Sequence, residues 1–152
     1  MVDVKTEIII NLPKEIVAEF VSDPGNTPGW CSQIKSVNWN QHAPLRAGVK
    51  ILFNEQRTRR YQQYVCEVVE IIPNQKMVVK TRHNNIRMET VIAWRAINEN
   101  TTCMTIWNRG IPRALSRIIT PFMALAIRNT SRRNLKQLKR MLETSNRRMV
   151  VL

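Results

Sequence analysis

Glu55, Glu70, Thr81, His83, Thr90 and Asn108, together with Tyr64, are polar residues on the otherwise apolar side of alternating, strand-like segments. A carboxylate or imidazole there could pass a proton, and a phenol, hydroxyl or amide could hold a reacting oxygen. None of them belongs to a transferable catalytic motif, so no catalytic residue is assigned. His42 and His83 are the 2 histidines, and neither has a second ligand at metal spacing, so no metal is expected. Cys31, Cys66 and Cys103 are odd in number and widely spaced, which points to buried thiols and away from disulfides or zinc. The 4 glycines, Gly25, Gly29, Gly48 and Gly110, all fall at expected turns or helix starts. They are too scarce for a phosphate-cradling loop, and no cofactor is expected.

The elements that would position such side chains follow from periodicity. Residues 2–10 alternate with period two and read as a strand. Pro13 opens a helix carrying Ile16, Val17, Phe20 and Val21, which Asp23-Pro24-Gly25 stops; Thr27-Pro28 opens a second short helix through Trp30 toward Ile34. Strand-like segments follow at 36–40, 49–54, 64–72, 76–81, 87–95 and 103–109, separated by turn residues and reading as an antiparallel meander. From Pro112 to about Thr144, apolar residues recur at steps of three and four, the mark of one long helix. Pro121 is expected to kink or split it, and Gly110-Ile111-Pro112 reads as the turn leading into it.

A chain of 152 residues with 43% hydrophobic and 23% charged content suits a single soluble domain spanning residues 1–152. No segment approaches the ~20 apolar residues of a spanning helix, and the apolar run Ile8–Ile10 follows Asp3 and Glu7 where a leader would be basic. A cytoplasmic protein is expected. The formal charge of +13 is concentrated near the C-terminus. There Arg113, Arg117, Arg128, Arg132, Arg133, Lys136, Lys139, Arg140, Arg147 and Arg148 are set against a single acid, Glu143. Such a face suits phosphates or anionic lipid. Residues 128–148 contain no aromatic to stack on bases, which places nucleic acid last among the partners considered.

This order of elements resembles the helix-grip superfamily, which includes START lipid-transfer domains, birch-pollen-allergen-like proteins and polyketide cyclase/dehydrase-like (SRPBCC) proteins. The stretches that carry the resemblance are IIINLPKEIVAEFVSDPGNTPGW at 8–30, VCEVVEIIPNQKMVV at 65–79, METVIAW at 88–94, MTIWNRGIP at 104–112 and TPFMALAIRNTSRRNLKQLKRMLE at 120–143. It implies an α+β fold in which a seven-stranded curved antiparallel sheet wraps around a long kinked C-terminal helix, with two short helices between strands 1 and 2. It also implies a cavity between sheet and helix. Trp30, Trp39, Phe53, Met88, Ile92, Trp94, Met104, Ile106, Ile119, Phe122 and Met123 are positioned either to line that cavity or to fill it. Glu55, Tyr64, Thr81, His83, Thr90 and Asn108 are its polar candidates.

The reading that follows is binding or transport of a small hydrophobic, lipid- or polyketide-like ligand. Arg57, Arg59 and Arg60, at the hairpin between the third and fourth strands, would favour an acidic one. Contact with an anionic membrane surface is a further expectation for a carrier. The alternatives are a cyclase- or dehydratase-like enzyme and a basic module that binds nucleic acid or membrane surfaces. Sequence leaves the oligomeric state open.

Overall fold

The computed structural model describes residues 2–42, 44–57, 59–83, 86–112 and 120–151, without the side chains of 83, 86, 111, 112, 120 and 147–151. Strand β1 (Val2–Ile10) buries Val2, Val4, Thr6 and Ile10 and exposes Asp3, Lys5 and Glu7, as its alternation requires. Helix α1 (Lys14–Ser22) starts after Pro13 and buries Val17, Ala18 and Val21 on one face. It stops at Asp23, whose Oδ1 accepts the Gly25 N–H at 2.9 Å and opens a 3-10 turn over Pro24–Asn26 that leads into α2 (Thr27–Trp30). Strands β2 (Ile34–Asn38), β3 (Lys50–Arg57), β4 (Arg60–Ile72), β5 (Lys76–His83), β6 (Ile86–Asn98) and β7 (Thr101–Pro112) follow, and then α3 (Thr120–Val151). Asn74, at φ 62°, makes the left-handed turn between β4 and β5.

The strands form one antiparallel sheet in the order β1-β7-β6-β5-β4-β3-β2, so the meander closes back on the first strand. With two short helices after β1 and one long helix at the end, this is the helix-grip fold. The C-terminal part of α3 is held firmly: Leu135, Leu138 and Leu142 are buried in a core with Ile10, Leu12, Trp94 and Met104. Two polar contacts fix its height along β1. Lys139 Nζ donates to the Ile9 carbonyl at 2.7 Å, and Glu143 accepts both Lys139 and the Asn11 N–H, at 2.7 and 2.9 Å.

Several boundaries differ from the sequence reading. Gly110, Ile111 and Pro112 are not a turn but the end of β7, in register with Met88, Arg87 and Ile86. α3 is described from Thr120, so Pro121 is its second described residue, and the part of the expected helix before it, residues 113–119, lies outside the described residues. β2 begins at Ile34, two places before the expected start, and bulges between Ile34 and Ser36. A second bulge between Val68 and Glu70 reverses the side that follows it. Glu70 therefore leaves the inner face and pairs with Lys76 at 3.3 Å.

On the outer face, strand register lines up charges of alternating sign. Lys50 is opposite Glu67, Glu67 opposite Lys80, Lys80 opposite Glu89, Glu89 opposite Arg109, and Arg109 opposite Asp3. Arg109 closes on Glu89 at 3.0 Å and lies 3.9 Å over the Trp107 ring, whose indole N–H donates to Asp3 at 2.6 Å. Opposite charges facing across strands support the register, and like charges there oppose it. Glu67→Lys, which seats a cation between two lysines, is expected to lower Tm by a few degrees in low salt. The loss should shrink as salt screens the row; a salt-independent Tm would refute the ladder.

Candidate functional site

Between the inner face of the sheet and the first turns of α3 lies a cavity of about 570 Å³, within the ~300–1,000 Å³ range of small-molecule sites. Its walls follow from strand period. Ile51, Phe53, Glu55 and Arg57 come from β3, Gln62, Tyr64 and Cys66 from β4, Met77, Val79 and Thr81 from β5, Met88, Thr90 and Ile92 from β6, and Ile106 and Asn108 from β7. From α3 come Met123, Ala126, Ile127, Thr130, Ser131 and Asn134, on one helical face. Val21, Ser22, Pro24, Thr27, Trp30, Cys31, Gln33 and Ile34, from α1 to the start of β2, complete the lining.

Polar groups are few and organised. Thr90 Oγ1 donates to Asn108 Oδ1 at 2.8 Å, and Asn108 Nδ2 to Ser131 Oγ at 3.4 Å, a string that crosses from sheet to helix. Glu55 holds Arg57 Nε at 2.9 Å, so the cavity's anion and cation largely cancel. Phe53 and Tyr64 stack with ring centroids 5.6 Å apart. Among the described residues, four further polar atoms are buried without a hydrogen-bond partner: Trp30 Nε1, Gln33 Oε1 and Asn134 Oδ1 on residues that line the cavity, and Trp94 Nε1 in the core.

Burial sets the protonation of the other reactive groups. It pushes the Cys31 thiol up to about 12, and the Cys66 thiol up to about 11 against the opposing hydrogen bond with Thr81, 2.9 Å away. Burial first, and then the negative charges that Cys66, Glu55 and Cys31 can carry, raise Tyr64 well above the usual phenol range. At neutral pH both thiols are therefore poor nucleophiles, and Tyr64 is a hydrogen-bond donor and no base. All three cysteines are free and buried. No cluster of metal-binding side chains occurs among the described residues.

The family model for polyketide cyclase / dehydrase and lipid transport proteins matches residues 1–143. The chain belongs to this family. Solved structures similar to it include TTHA0849 from Thermus thermophilus, 13% identical with a TM-score of 0.76, covering 94% of this chain and 98% of that one. Zhui aromatase/cyclase from Streptomyces sp. R1128 is 11% identical with a TM-score of 0.75, covering 93% of each chain. The di-domain aromatase/cyclase BexL from the BE-7585A biosynthetic pathway is 14% identical with a TM-score of 0.80; the match covers 94% of this chain and 47% of that one. At such identities the likeness is one of fold. No curated protein matches the sequence.

In this member of the family, Trp30, Phe53, Glu55, Tyr64, Thr81, Met88, Thr90, Ile92, Asn108 and Met123 meet at the one cavity. Trp94 and Met104 are instead buried in the core with Leu135, Leu138 and Leu142 and are not among the cavity's lining residues. Trp39 lies past the end of β2, its ring against Gly25 in a separate cleft with Pro24 and Leu45. The β2 bulge makes Val37 the inward partner of Phe53, and the strand ends at Asn38, before Trp39. Phe122 is 70% exposed: it is one position, ~100° of helical turn, away from the lining residue Met123. Ile119 and the His83 side chain lie outside the described residues. Sequence reasoning missed Gln33, Cys31, Ser131 and Asn134. The period of α3 could have pointed to the last two, which share a face with Leu135 and Leu138.

Proposed function

We propose that residues 1–152 act as a single helix-grip unit that binds and carries a small hydrophobic ligand, an apolar skeleton bearing hydroxyl or carbonyl groups. The observation that supports this is a largely apolar cavity whose lining includes Trp30, Gln33 and Asn134, residues whose Nε1, Oε1 and Oδ1 are buried with no partner among the described residues. Buried polar atoms nearly always have partners. A hydroxyl, which both donates and accepts, suits an indole N–H and two amide oxygens alike. Because Glu55 already balances Arg57, this reading no longer favours an acidic ligand. Binding ranks ahead of cyclase-type catalysis because Cys31, Cys66 and Tyr64 stay protonated, which leaves a Glu55 held by Arg57 as the cavity's proton acceptor. The buried free thiols fit a reducing compartment, and we place the protein in the cytoplasm. Among the described residues no helix is long and apolar enough to cross a membrane. Such a carrier would load at the surface of an anionic membrane, where apolar ligands concentrate.

The test is native mass spectrometry of the purified protein together with displacement of a fluorescent fatty acid by a long-chain alcohol and by its parent alkane. Retained apolar ligand and tighter binding of the alcohol are expected. Asn134→Leu should raise the stability of the ligand-free protein by ~1 kcal/mol, since it removes an unpaired buried oxygen. The same change should weaken the alcohol about tenfold and leave the alkane unchanged. An empty protein that binds none of the probes would exclude the reading.

A further inference from the structure

The outer face of α3 has an organisation that the cavity does not require. At 100° per residue, Phe122, Leu125, Asn129, Arg132, Arg133, Lys136 and Arg140 fall within an arc of about 100° that runs ~27 Å along the helix, opposite the buried leucines. The stripe changes character along its length. Phe122 and Leu125, 70% and 54% exposed, form an apolar end. The four cations, all exposed, form the rest.

The positive charge of this stripe is uncompensated. Across the outer face of the sheet, each cation of the ladder faces a carboxylate in register. Glu143, the one acid of α3, is taken up by Lys139 and Asn11. Among the described residues, Arg132, Arg133, Lys136 and Arg140 have no carboxylate partner. Much of the formal +13 is therefore expressed here.

We propose that this stripe docks on an anionic lipid bilayer, with the four cations against lipid phosphates and Phe122 and Leu125 in the acyl boundary. Cations near such a surface gain ~1 kcal/mol each, and adjoining large apolar side chains add burial. Nucleic acid would use the cations but leave Phe122 and Leu125 in water, and the cationic part offers no aromatic for stacking. Phe122 and Leu125 occupy the same helical turns as the lining residues Met123, Ala126 and Ile127. Docking thus sets the cavity's helical wall beside the acyl chains. The surface does not depend on which ligand the cavity takes.

The test is co-sedimentation with vesicles of phosphatidylcholine alone and of phosphatidylcholine mixed with phosphatidylglycerol. Binding to the mixed vesicles only, falling as salt rises, is expected. Reversing Arg132, Arg133, Lys136 and Arg140 to Glu should cut partitioning by well over tenfold. Reversing Lys14, Lys35, Arg46 and Arg95, an equal change in net charge placed elsewhere, should cost far less. Phe122→Ser with Leu125→Ser should weaken binding several-fold at constant charge, and it keeps the proposal testable if the charge-reversed helix misfolds. The proposal is overturned by equal loss in the two charge variants, by indifference to the apolar pair, by equal binding to neutral vesicles, or by binding to oligonucleotides in place of vesicles. Because the assay contains no cavity ligand, an empty or unproductive cavity would not affect its outcome.

Discussion

Gly110→Ala is expected to cost about 2 kcal/mol of stability, and Gly110→Val clearly more. A Cβ at this position would sit 2.8 Å from the Arg87 carbonyl oxygen and 3.0 Å from Met88 Sδ. The methionine could swing away, but the carbonyl belongs to β6, paired in register with β7 at this point. Relief would require the two strands to part. Adding Met88→Ala to Gly110→Ala should therefore recover little of the loss in urea unfolding, since the carbonyl contact remains. Full recovery would show that side-chain crowding was the whole effect. A functional consequence is expected as well. Met88 fills the space left by the missing side chain and lines the cavity from there, so Gly110→Ala should also weaken a bound apolar probe.

The glycine also shows where sequence reasoning stopped. Gly-Ile-Pro between a strand and a helix reads as a turn on local chemistry, because both glycine and proline are ordinary turn residues. What keeps these residues in β7 is register with β6, a long-range property that no window of sequence contains. The strands themselves were legible where one face is buried and the other is wet, most clearly in β1, which alternates as its sequence does. The bulges were not legible, since a single extra residue leaves composition unchanged while moving every later side chain to the opposite face. That is why Glu70 looked inward; Trp39 looked like cavity lining for another reason, because it keeps the parity of the inward Val37 but follows the last residue of β2, Asn38. On α3 the period identified the helix but not its phase at the N-terminal end, where Phe122 and Met123 are equally apolar neighbours and only one can face the sheet. Partners were the least visible feature. The cancellation of Arg57 by Glu55 and the unpaired state of Asn134 Oδ1 exist only once the chain is folded.

Ile127→Trp and Leu138→Ala should have opposite effects, although both residues lie on the inward side of α3. Ile127 borders the cavity. An indole there would enter open space and displace a ligand without displacing protein atoms. A fluorescent fatty acid should bind at least ~10-fold more weakly, with Tm unchanged or raised. Leu138 is fully buried among the core residues and is not one of the cavity's lining residues. Truncating it leaves a void that its neighbours cannot close, at a cost of ~2–5 kcal/mol, and probe affinity at temperatures where the variant stays folded should remain close to that of the parent. The contrast separates space kept for a guest from space filled by the protein itself. If Ile127→Trp instead destabilised the chain as an overpacked core would, the cavity would close in solution and the carrier reading would fail with it. If Leu138→Ala weakened the probe as strongly as Ile127→Trp, the two ends of α3 would not be the separate packed and open regions from which the site is built.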